Sequence, residues 1–278
     1  MTNLINERGL LPAGLSDVLH PNAKIQAKKI EKLLDTFSSF GYLRIKPPLV
    51  EYEDSLLSEG PGNVLKDSTF RIMDPLSQKM MALRSDMTAQ ISRISSTRMS
   101  HLPRPLRLSY SGDVLRVNGD SFNMERQKTQ VGAELIGNES VTIDAEIILV
   151  CLESLSSIDI NDITLDLNLP FLRAYLLRNI PVSSRNIINE AIDRKDKNVI
   201  KKLKIDSALQ ILKLMEAAGD YESSKINLSL LGSNDFLSKA LDYLLNVAKI
   251  IKKNNPSVNI TLDPLENRGF KYHSGLSF

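Results

Sequence analysis

The sequence predicts an α+β fold, in which an antiparallel sheet is flanked by helices and interrupted by a helical insertion. Three observations lead to this prediction. Strand-like segments are joined by hairpin-like connections, two strongly periodic helices flank them, and the composition becomes helical over residues 170–256 before strand patterns return. Hairpin connections pair strands antiparallel, which favours α+β over a doubly wound α/β fold.

The first regular element is an amphipathic helix from Asn22 to Phe40. Its apolar positions recur at helical spacing: Ile25, Ile30, Leu33, Leu34 and Phe37. Asn22 is the predicted N-cap, and Gly41 is predicted to end the helix. The strand that follows, Tyr42–Val50, contains Pro47 and Pro48. Since proline has no N–H to donate, we expect this strand at an edge or an interface.

A hairpin, a helix and two longer strands come next. Ser68–Asp74 and Lys79–Arg84 read as the hairpin, with a turn over Pro75–Gln78. Asp86–Ser96 reads as a helix. Two strands joined by a polar loop follow, at Pro105–Val117 and Lys128–Ile136.

The rest of the chain reads as a helix, a strand, a helical stretch and two more strands. The first helix is Ser140–Ser154 and the strand is Ile163–Asn168. Five helices are predicted next: Phe171–Arg178, Ser183–Arg194, Lys197–Lys204, Ser207–Gly219 and Asp235–Asn254. Strands return at Val258–Leu262 and Gly269–Phe278. We therefore predict a core at residues 1–169 and 257–278, with a helical insertion at 170–256.

Composition excludes several classes of function. The chain has 278 residues and a formal net charge of +2, which is too balanced for the basic footprint of a nucleic-acid-binding protein. One cysteine and three scattered histidines offer no metal-ligand spacing, so no metal is expected. No signal peptide or membrane-spanning run is recognised, and we expect a cytoplasmic protein. Dinucleotide, P-loop, zinc-protease and nucleophile-elbow motifs are missing, and no cofactor is expected.

The first candidate site lies where a strand runs into a helix, at Leu83-Arg-Ser-Asp-Met-Thr-Ala-Gln90. Asp86 and Thr88 could simply cap the helix, and the pattern alone favours that interpretation. Alternatively, the carboxylate and the hydroxyl face the ammonium group of a ligand, for which both are good acceptors.

The second candidate site is the strand around Thr129-Gln-Val-Gly-Ala-Glu134, preceded by Arg116. Period-two alternation places Gln130, Gly132 and Glu134 on one face of the strand. This face is polar with a gap at the glycine, which suits a small polar ligand; a solvent-exposed face is the alternative. The C-terminal strand adds Arg268, Tyr272 and His273, although a lone histidine in a strand is more often structural.

Taken in order, these segments resemble the class II aminoacyl-tRNA synthetase core, in its histidyl-tRNA synthetase branch. LLPAGLSDVLHPNA with GYLRIKPPLVEYEDSLL resembles the first class II motif, whose helix and proline-bearing strand build a dimer interface. LRSDMTAQ resembles the segment LRPE-G-T-A, and RGFKYHSG resembles the histidine motif RG-L-x-YY-x-G. The resemblance covers almost the whole chain and is weakest in residues 170–255.

The resemblance implies a role for each candidate residue. It places Asp86 and Thr88 on the amino group of histidine and Arg116 on its carboxylate. It places Gln130 and Glu134 on the amino acid and its imidazole. The C-terminal motif adds three more histidine-binding residues, Arg268, Tyr272 and His273.

The chain departs from the synthetase pattern at the residues that would bind the nucleotide. The second class II motif normally reads Arg-x-Glu and its glutamate positions ATP, whereas this chain reads Arg116-Val-Asn118. The loop Asn118–Glu125 has no basic residues to clamp phosphates. The third motif would follow Phe278, and we expect it and the anticodon-binding domain to be missing. Activation needs positioned ATP, so we do not expect synthetase activity or tRNA binding.

The chain keeps the amino-acid contacts of the synthetases and loses their nucleotide contacts. In this combination it resembles the regulatory subunits of ATP phosphoribosyltransferase, the first enzyme of histidine biosynthesis. This resemblance implies a non-catalytic regulator that binds L-histidine, forms a homodimer within a hetero-oligomer and stimulates a short-form catalytic subunit. A histidyl-tRNA synthetase or its catalytic-core fragment is the rival hypothesis. A binding module with an empty pocket is a third. The stoichiometry, the contact surface and the size of the histidine effect are beyond the sequence.

Overall fold

The computed structural model describes residues 10–57, 60–119, 124–203, 205–232, 235–267 and 275–278. The chain divides into two compact units. The first comprises Met1–Asn138 and Glu153–Asp159, and the second comprises Glu139–Leu152 and Ile160–Phe278. Helices and short strands are mixed along the chain, which confirms the α+β class.

The first unit contains four helices and six strands among its described residues. The helices are α1 (Asn22–Ser39), α2 (Glu53–Leu57), α3 (Gly60–Val64) and α4 (Thr88–Thr97). The strands are β1 (Leu43–Arg44), β2 (Val50–Tyr52), β3 (Arg71–Met73), β4 (Met80–Leu83), β5 (Leu106–Leu115) and β6 (Gln127–Ile136). They form two sheets, in the orders β1-β5-β6 and β2-β4-β3.

Helix α1 confirms the predicted amphipathic helix; it ends at Ser39, one residue before the predicted Phe40, and Gly41 follows its end as predicted. Gly41 has φ +82, a left-handed conformation that glycine adopts without cost, and its N–H donates to the Ser38 carbonyl. The predicted N-cap is wrong. Pro21 is the N-cap, and no side chain caps the helix. Helical bonding already begins before Asn22, since Ala23 N–H donates to Leu19.

The proline-bearing strand is found at two sheet edges, as predicted. It is split by Pro47 and Pro48 into β1, at the edge of one sheet, and β2, at the edge of the other. The predicted hairpin is confirmed by the antiparallel pair β3 and β4, closed by Asp74 N–H donating to the Lys79 carbonyl. The longest pairing is antiparallel too, between β5 and β6, with Leu106 opposite Ile136 and Leu115 opposite Gln127.

The second unit is mainly helical around a three-stranded sheet. Its helices are α5 (Val141–Ser157, whose last residues from Glu153 belong to the first unit), α6 (Pro170–Leu176), α7 (Val182–Asp193), α8 (Lys197–Lys202), α9 (Ala208–Ala217), α10 (Tyr221–Ser229) and α11 (Asp235–Asn254). Its strands are β7 (Thr164–Leu167), β8 (Gly219–Asp220) and β9 (Asn259–Leu262), in the order β7-β9-β8. One cluster of buried apolar side chains packs the helices of this unit against strands β7 and β9.

Two strand pairings differ from the predicted antiparallel sheet. β1 pairs with β5 in parallel, and β7 pairs with β9 in parallel. Parallel neighbours need a long crossover between them, and in both cases many residues separate the two strands in the chain. The predicted antiparallel pairing is found in β2–β4, β3–β4, β5–β6 and β8–β9, and the two parallel pairs add to it; helices separate β7 and β9 as predicted.

The compact units have other boundaries than the predicted core and insertion. The helices between β7 and β9 pack on the sheet that these two strands share, in one apolar cluster, so strands and helices fall in the same unit. The division into a synthetase-like core and an insertion at 170–256 stays a prediction.

Helix α10 was not predicted. Its N-cap Asp220, whose side chain accepts from Ser223 N–H, is the signal that could have revealed it. Within the described residues, no helix is long and apolar enough to cross a bilayer.

Candidate functional site

The first candidate cluster lies at the junction between β4 and α4 in the first unit. Asp86 is almost completely buried, at 3% exposure, and its Oδ1 accepts from Thr88 N–H at 2.8 Å. The N-cap of α4 is Met87, which makes no side-chain capping bond, so neither Asp86 nor Thr88 is the N-cap that the sequence pattern favoured; the Asp86 bond instead satisfies the first N–H of the helix from one residue further back. Asp86 Oδ2 accepts a second bond, from Gln130 Nε2 at 3.0 Å. The same carboxylate therefore serves the helix start and the neighbouring sheet.

Strand β6 supplies the opposite side of the cluster. Gln130 Oε1 accepts from Met87 N–H at 3.0 Å, and Glu134 Oε1 accepts from Thr88 Oγ1 at 3.0 Å. Gln130 and Glu134 lie two positions on either side of Gly132, so both side chains leave the strand on the same face. The predicted strand face is therefore half-buried. It contacts the β4–α4 junction through both polar residues.

Tyr110 fills the gap that the sequence placed at Gly132. Tyr110 lies directly opposite Gly132 in the β5–β6 register. A Cβ on Gly132 would lie 2.5 Å from Tyr110 Oη, so only glycine leaves room for the phenol there. The hydroxyl donates to Glu134 Oε1 at 3.2 Å. The gap is thus used by the protein's own side chain, and Tyr110 is a site residue that the sequence analysis missed.

The two carboxyl groups of the cluster, those of Asp86 and Glu134, form no ion pair with the described residues. Burial raises the pKa of Glu134; bonds from Thr88 and Tyr110 oppose that shift, and the negative charge of Asp86 adds to it. Burial and the nearby Glu134 also raise the pKa of Tyr110 far above its ordinary value, so the phenol stays protonated and donates. A cationic group would relieve this arrangement.

Arg116 lies just beyond the end of β5 and next to the same junction. Its Nε donates to the carbonyl of Ser85 at 3.2 Å, one residue before Asp86. The structure thus brings together Asp86, Thr88, Gln130 and Glu134, with Arg116 beside them. The other three predicted site residues, Arg268, Tyr272 and His273, lie outside the described residues, and their place in the site stays a prediction.

Because burial raises the pKa of Glu134, removing its charge should stabilise the ligand-free protein. When the pKa of a carboxyl group is higher in the folded state, the protein loses stability as the pH rises from the unfolded pKa of 4.5 through the folded pKa. Glu134→Gln keeps an acceptor for Thr88 and Tyr110. We expect it to be more stable than wild type by about 1 kcal/mol at pH 7.5, with the difference vanishing below pH ~4.5.

Urea unfolding followed by circular dichroism between pH 4 and 8 checks this prediction. The exposed Glu31→Gln, whose carboxylate pairs with Arg44 on the surface, is the control and should change stability little at any pH. A Glu134→Gln protein less stable than wild type at pH 7.5 would show that the charge is satisfied in the ligand-free state.

The comparisons of this sequence with known proteins agree with one another. The sequence profile of a family described as histidyl-tRNA synthetase matches residues 14–278. The ATP phosphoribosyltransferase regulatory subunit of Rhodospirillum centenum is 42% identical over 271 residues, which are 97% of this chain and 70% of that protein.

Two solved structures share the fold. An ATP phosphoribosyltransferase regulatory subunit/histidyl-tRNA synthetase from Bacillus halodurans superposes with a TM-score of 0.82 at 20% identity, covering 96% of this chain and 71% of that one. A chain of the ATP phosphoribosyl transferase (HisG:HisZ) complex from Thermotoga maritima gives a TM-score of 0.65 at 18% identity, covering 90% and 84%.

Proposed function

The chain belongs to the family of ATP phosphoribosyltransferase regulatory subunits, which share the histidyl-tRNA synthetase fold, and from this premise we propose its function. It binds L-histidine, activates a short-form catalytic subunit and carries the histidine feedback signal to it. It transfers no group itself and does not charge tRNA.

The observation that carries this proposal is a pair of acidic side chains that have no ion-pair partner within the described part of the chain. There, the bonds to Asp86 and Glu134 come from neutral donors, namely Thr88, Gln130 and Tyr110 with backbone N–H groups. Buried charge is costly unless it is paired. An amino acid with a cationic α-ammonium and a basic imidazole supplies two partners at once. Asp86 and Thr88 are assigned to the ammonium, and Gln130 and Glu134 to the amino acid and its imidazole.

The carboxylate of histidine needs a cation in its turn. Arg116, anchored on the Ser85 carbonyl beside the junction, is the candidate among the described residues. Arg268 is assigned the same role from the sequence motif, with Tyr272 and His273 beside the imidazole.

A non-catalytic role is supported by the residue after Arg116 and Val117. Asn118 is exposed and carries an amide where the synthetase pattern has a carboxylate for ATP. An amide cannot balance the charge of an ATP-bound cation or orient the nucleotide in the same way. Neither a resident metal nor a cofactor is part of the proposal.

The assembly is assigned from the relatives. A regulatory subunit needs a catalytic partner, and one structural neighbour comes from an ATP phosphoribosyl transferase complex. We assign the chain to a homodimer within such a hetero-oligomer, in the cytoplasm. Feedback requires that histidine bind one arrangement of the complex more tightly than the other, because equal affinity shifts no equilibrium.

Phosphoribosyl transfer to ATP by a cognate short-form catalytic subunit tests the proposal directly. We expect this chain to raise the rate, and histidine to reverse that stimulation as it is titrated. A difference of about 1–3 kcal/mol between the two arrangements would shift the midpoint by roughly 5- to 150-fold. Stimulation that histidine leaves unchanged would contradict the feedback role while keeping the activator role.

The rival functions make different predictions for the purified chain. Histidine-dependent exchange of pyrophosphate into ATP would establish a synthetase activity and overturn the non-catalytic assignment. A thermal unfolding midpoint that does not change with histidine would favour a binding module with an empty pocket.

A further inference from the structure

The β4–α4 junction contains two kinds of residue. Some belong to the candidate site, and others form hydrogen bonds to a different segment of the chain. Asp86 and Thr88 face the site, whereas Arg84, two positions before Asp86, and Gln90, two positions after Thr88, bond to the segment Pro47–Glu51. The site residues are thus bracketed by two side chains with a common target.

Arg84 is a buried cation held by main-chain carbonyls. It is 6% exposed; its Nε donates to the Asp113 carbonyl at 2.7 Å and its Nη1 donates to the Pro47 carbonyl at 3.1 Å and more weakly to Pro48 at 3.4 Å. Its planar fork matches three acceptors from two chain segments, which a lysine amine could not do.

Gly112 makes room for this guanidinium on the sheet. A Cβ at Gly112 would lie 2.2 Å from Arg84 Nη2. Gly112 lies opposite Gln130 in the β5–β6 register, so Arg84 lies on the same sheet face as the site residues Gln130 and Glu134. The guanidinium is therefore a neighbour of the candidate site and not a remote surface group.

Gln90 makes the second connection from the first turn of α4. It is fully buried, and its Nε2 donates to the Pro48 carbonyl at 2.8 Å and to Glu51 Oε1 at 2.8 Å. Glu51 also accepts from Arg93 Nε at 2.8 Å and from Arg93 Nη2, so three bonds tie α4 to β2. Within the described residues Gln90 Oε1 accepts no hydrogen bond, so the amide acts here through its donors.

The Pro47–Pro48 segment depends on these side chains because it cannot join a sheet through its own N–H groups. Its two carbonyls are taken by Arg84 and Gln90, and the next carbonyl, of Leu49, accepts from Arg84 N–H at 3.1 Å. A displacement of the junction would therefore be transmitted through these hydrogen bonds to this segment and to the edge strand β2.

We propose that Arg84 and Gln90 are positioning residues that couple histidine occupancy of the Asp86–Thr88 junction to the Pro47–Tyr52 edge of the sheet. This inference rests on the proposed histidine binding and names its first relay. A ligand that draws Asp86 and Thr88 toward its ammonium moves the residues between Arg84 and Gln90, and their bonds transmit that movement to the proline carbonyls. Coupling of this kind needs contacts that differ between the bound and the free state, and the proposal assigns that difference to these bonds.

Hydrogen–deuterium exchange of the full chain with and without saturating histidine tests the relay. In wild type, histidine should slow exchange in a peptide spanning Leu49–Tyr52 as well as at the junction itself. Arg84→Lys keeps the charge but loses the fork, and Gln90→Met keeps the length but loses both donors. Each should bind histidine within about tenfold of wild-type affinity, while losing at least about two thirds of the protection over Leu49–Tyr52.

A matched control and the opposing outcomes separate this inference from the proposed function. Arg44→Lys alters an exposed arginine in the same unit and should leave the protection intact. If wild type binds histidine but the Leu49–Tyr52 peptide does not respond, or if both variants keep the full response, the relay is overturned and histidine binding stands. If wild type does not bind histidine at all, both fall. Should Arg84→Lys fail to fold, Gln90→Met decides alone.

Discussion

Replacing Leu244 with alanine is expected to lower the free energy of unfolding of the second unit by about 2–5 kcal/mol. Leu244 lies in α11, is fully buried, and belongs to the apolar cluster that joins the helices of this unit to its sheet. Alanine removes the packed atoms and leaves a cavity that rigid neighbours cannot close. Urea unfolding followed by circular dichroism should show an earlier midpoint with an unchanged slope.

Two further substitutions make the Leu244 result specific. Leu209→Ala, at a position of α9 that is 63% exposed, makes the same chemical change outside the core and should shift stability by no more than about 0.5 kcal/mol. Leu244→Met conserves volume and should cost less than about 1.5 kcal/mol. A loss below about 1 kcal/mol for Leu244→Ala would mean that this cluster is not the packed core of the unit.

Glu134→Ala is expected to weaken histidine binding by about 1–3 kcal/mol, which is roughly 5- to 150-fold in the dissociation constant. Glu134 is the carboxylate that lies against Thr88 and Tyr110 and has no cation among the described residues. Alanine removes a buried charged acceptor for the ligand and leaves the two hydroxyl groups without it. Isothermal titration calorimetry with L-histidine measures the effect.

Glu31→Ala is the control for this substitution, because Glu31 lies on the exposed side of α1 and pairs only with Arg44. It should bind histidine as wild type does. If Glu134→Ala also binds histidine as tightly as wild type, the assignment of the site to this face of β6 is wrong. Together with the expected stability gain of Glu134→Gln, a loss of affinity would mean that this carboxylate is kept for the ligand at a cost to the ligand-free fold.

Elements with a strong local pattern were predictable from the sequence. Helices α1 and α11 carry long amphipathic patterns, and α11 is found at its predicted residues, Asp235–Asn254. In β5 apolar and polar residues alternate from Leu106 to Ser111, and in β6 apolar residues occupy every second position from Val131 to Leu135. Each kind of element has a fixed side-chain period, which is why a local pattern of residues can reveal it.

Elements whose stability comes from distant contacts left weak signals or none in the sequence. Helix α10 has little amphipathic pattern of its own and is held in place by the packing of Leu228 in the cluster of the second unit. The parallel pairs β1–β5 and β7–β9 join strands far apart in the chain, and no local signal specifies which partner a short strand takes.

The sequence by itself determined the α+β class, the family resemblance and the group of polar residues Asp86, Thr88, Gln130 and Glu134, since each depends on residue types at short spacing. Only the tertiary structure decided that Tyr110 closes the gap over Gly132 and that Arg84 lies over Gly112. Both placements depend on the register of β5 against β6 and on where β4 meets α4. Register is set by the burial of a whole strand face and by long-range packing, which no short segment of sequence contains.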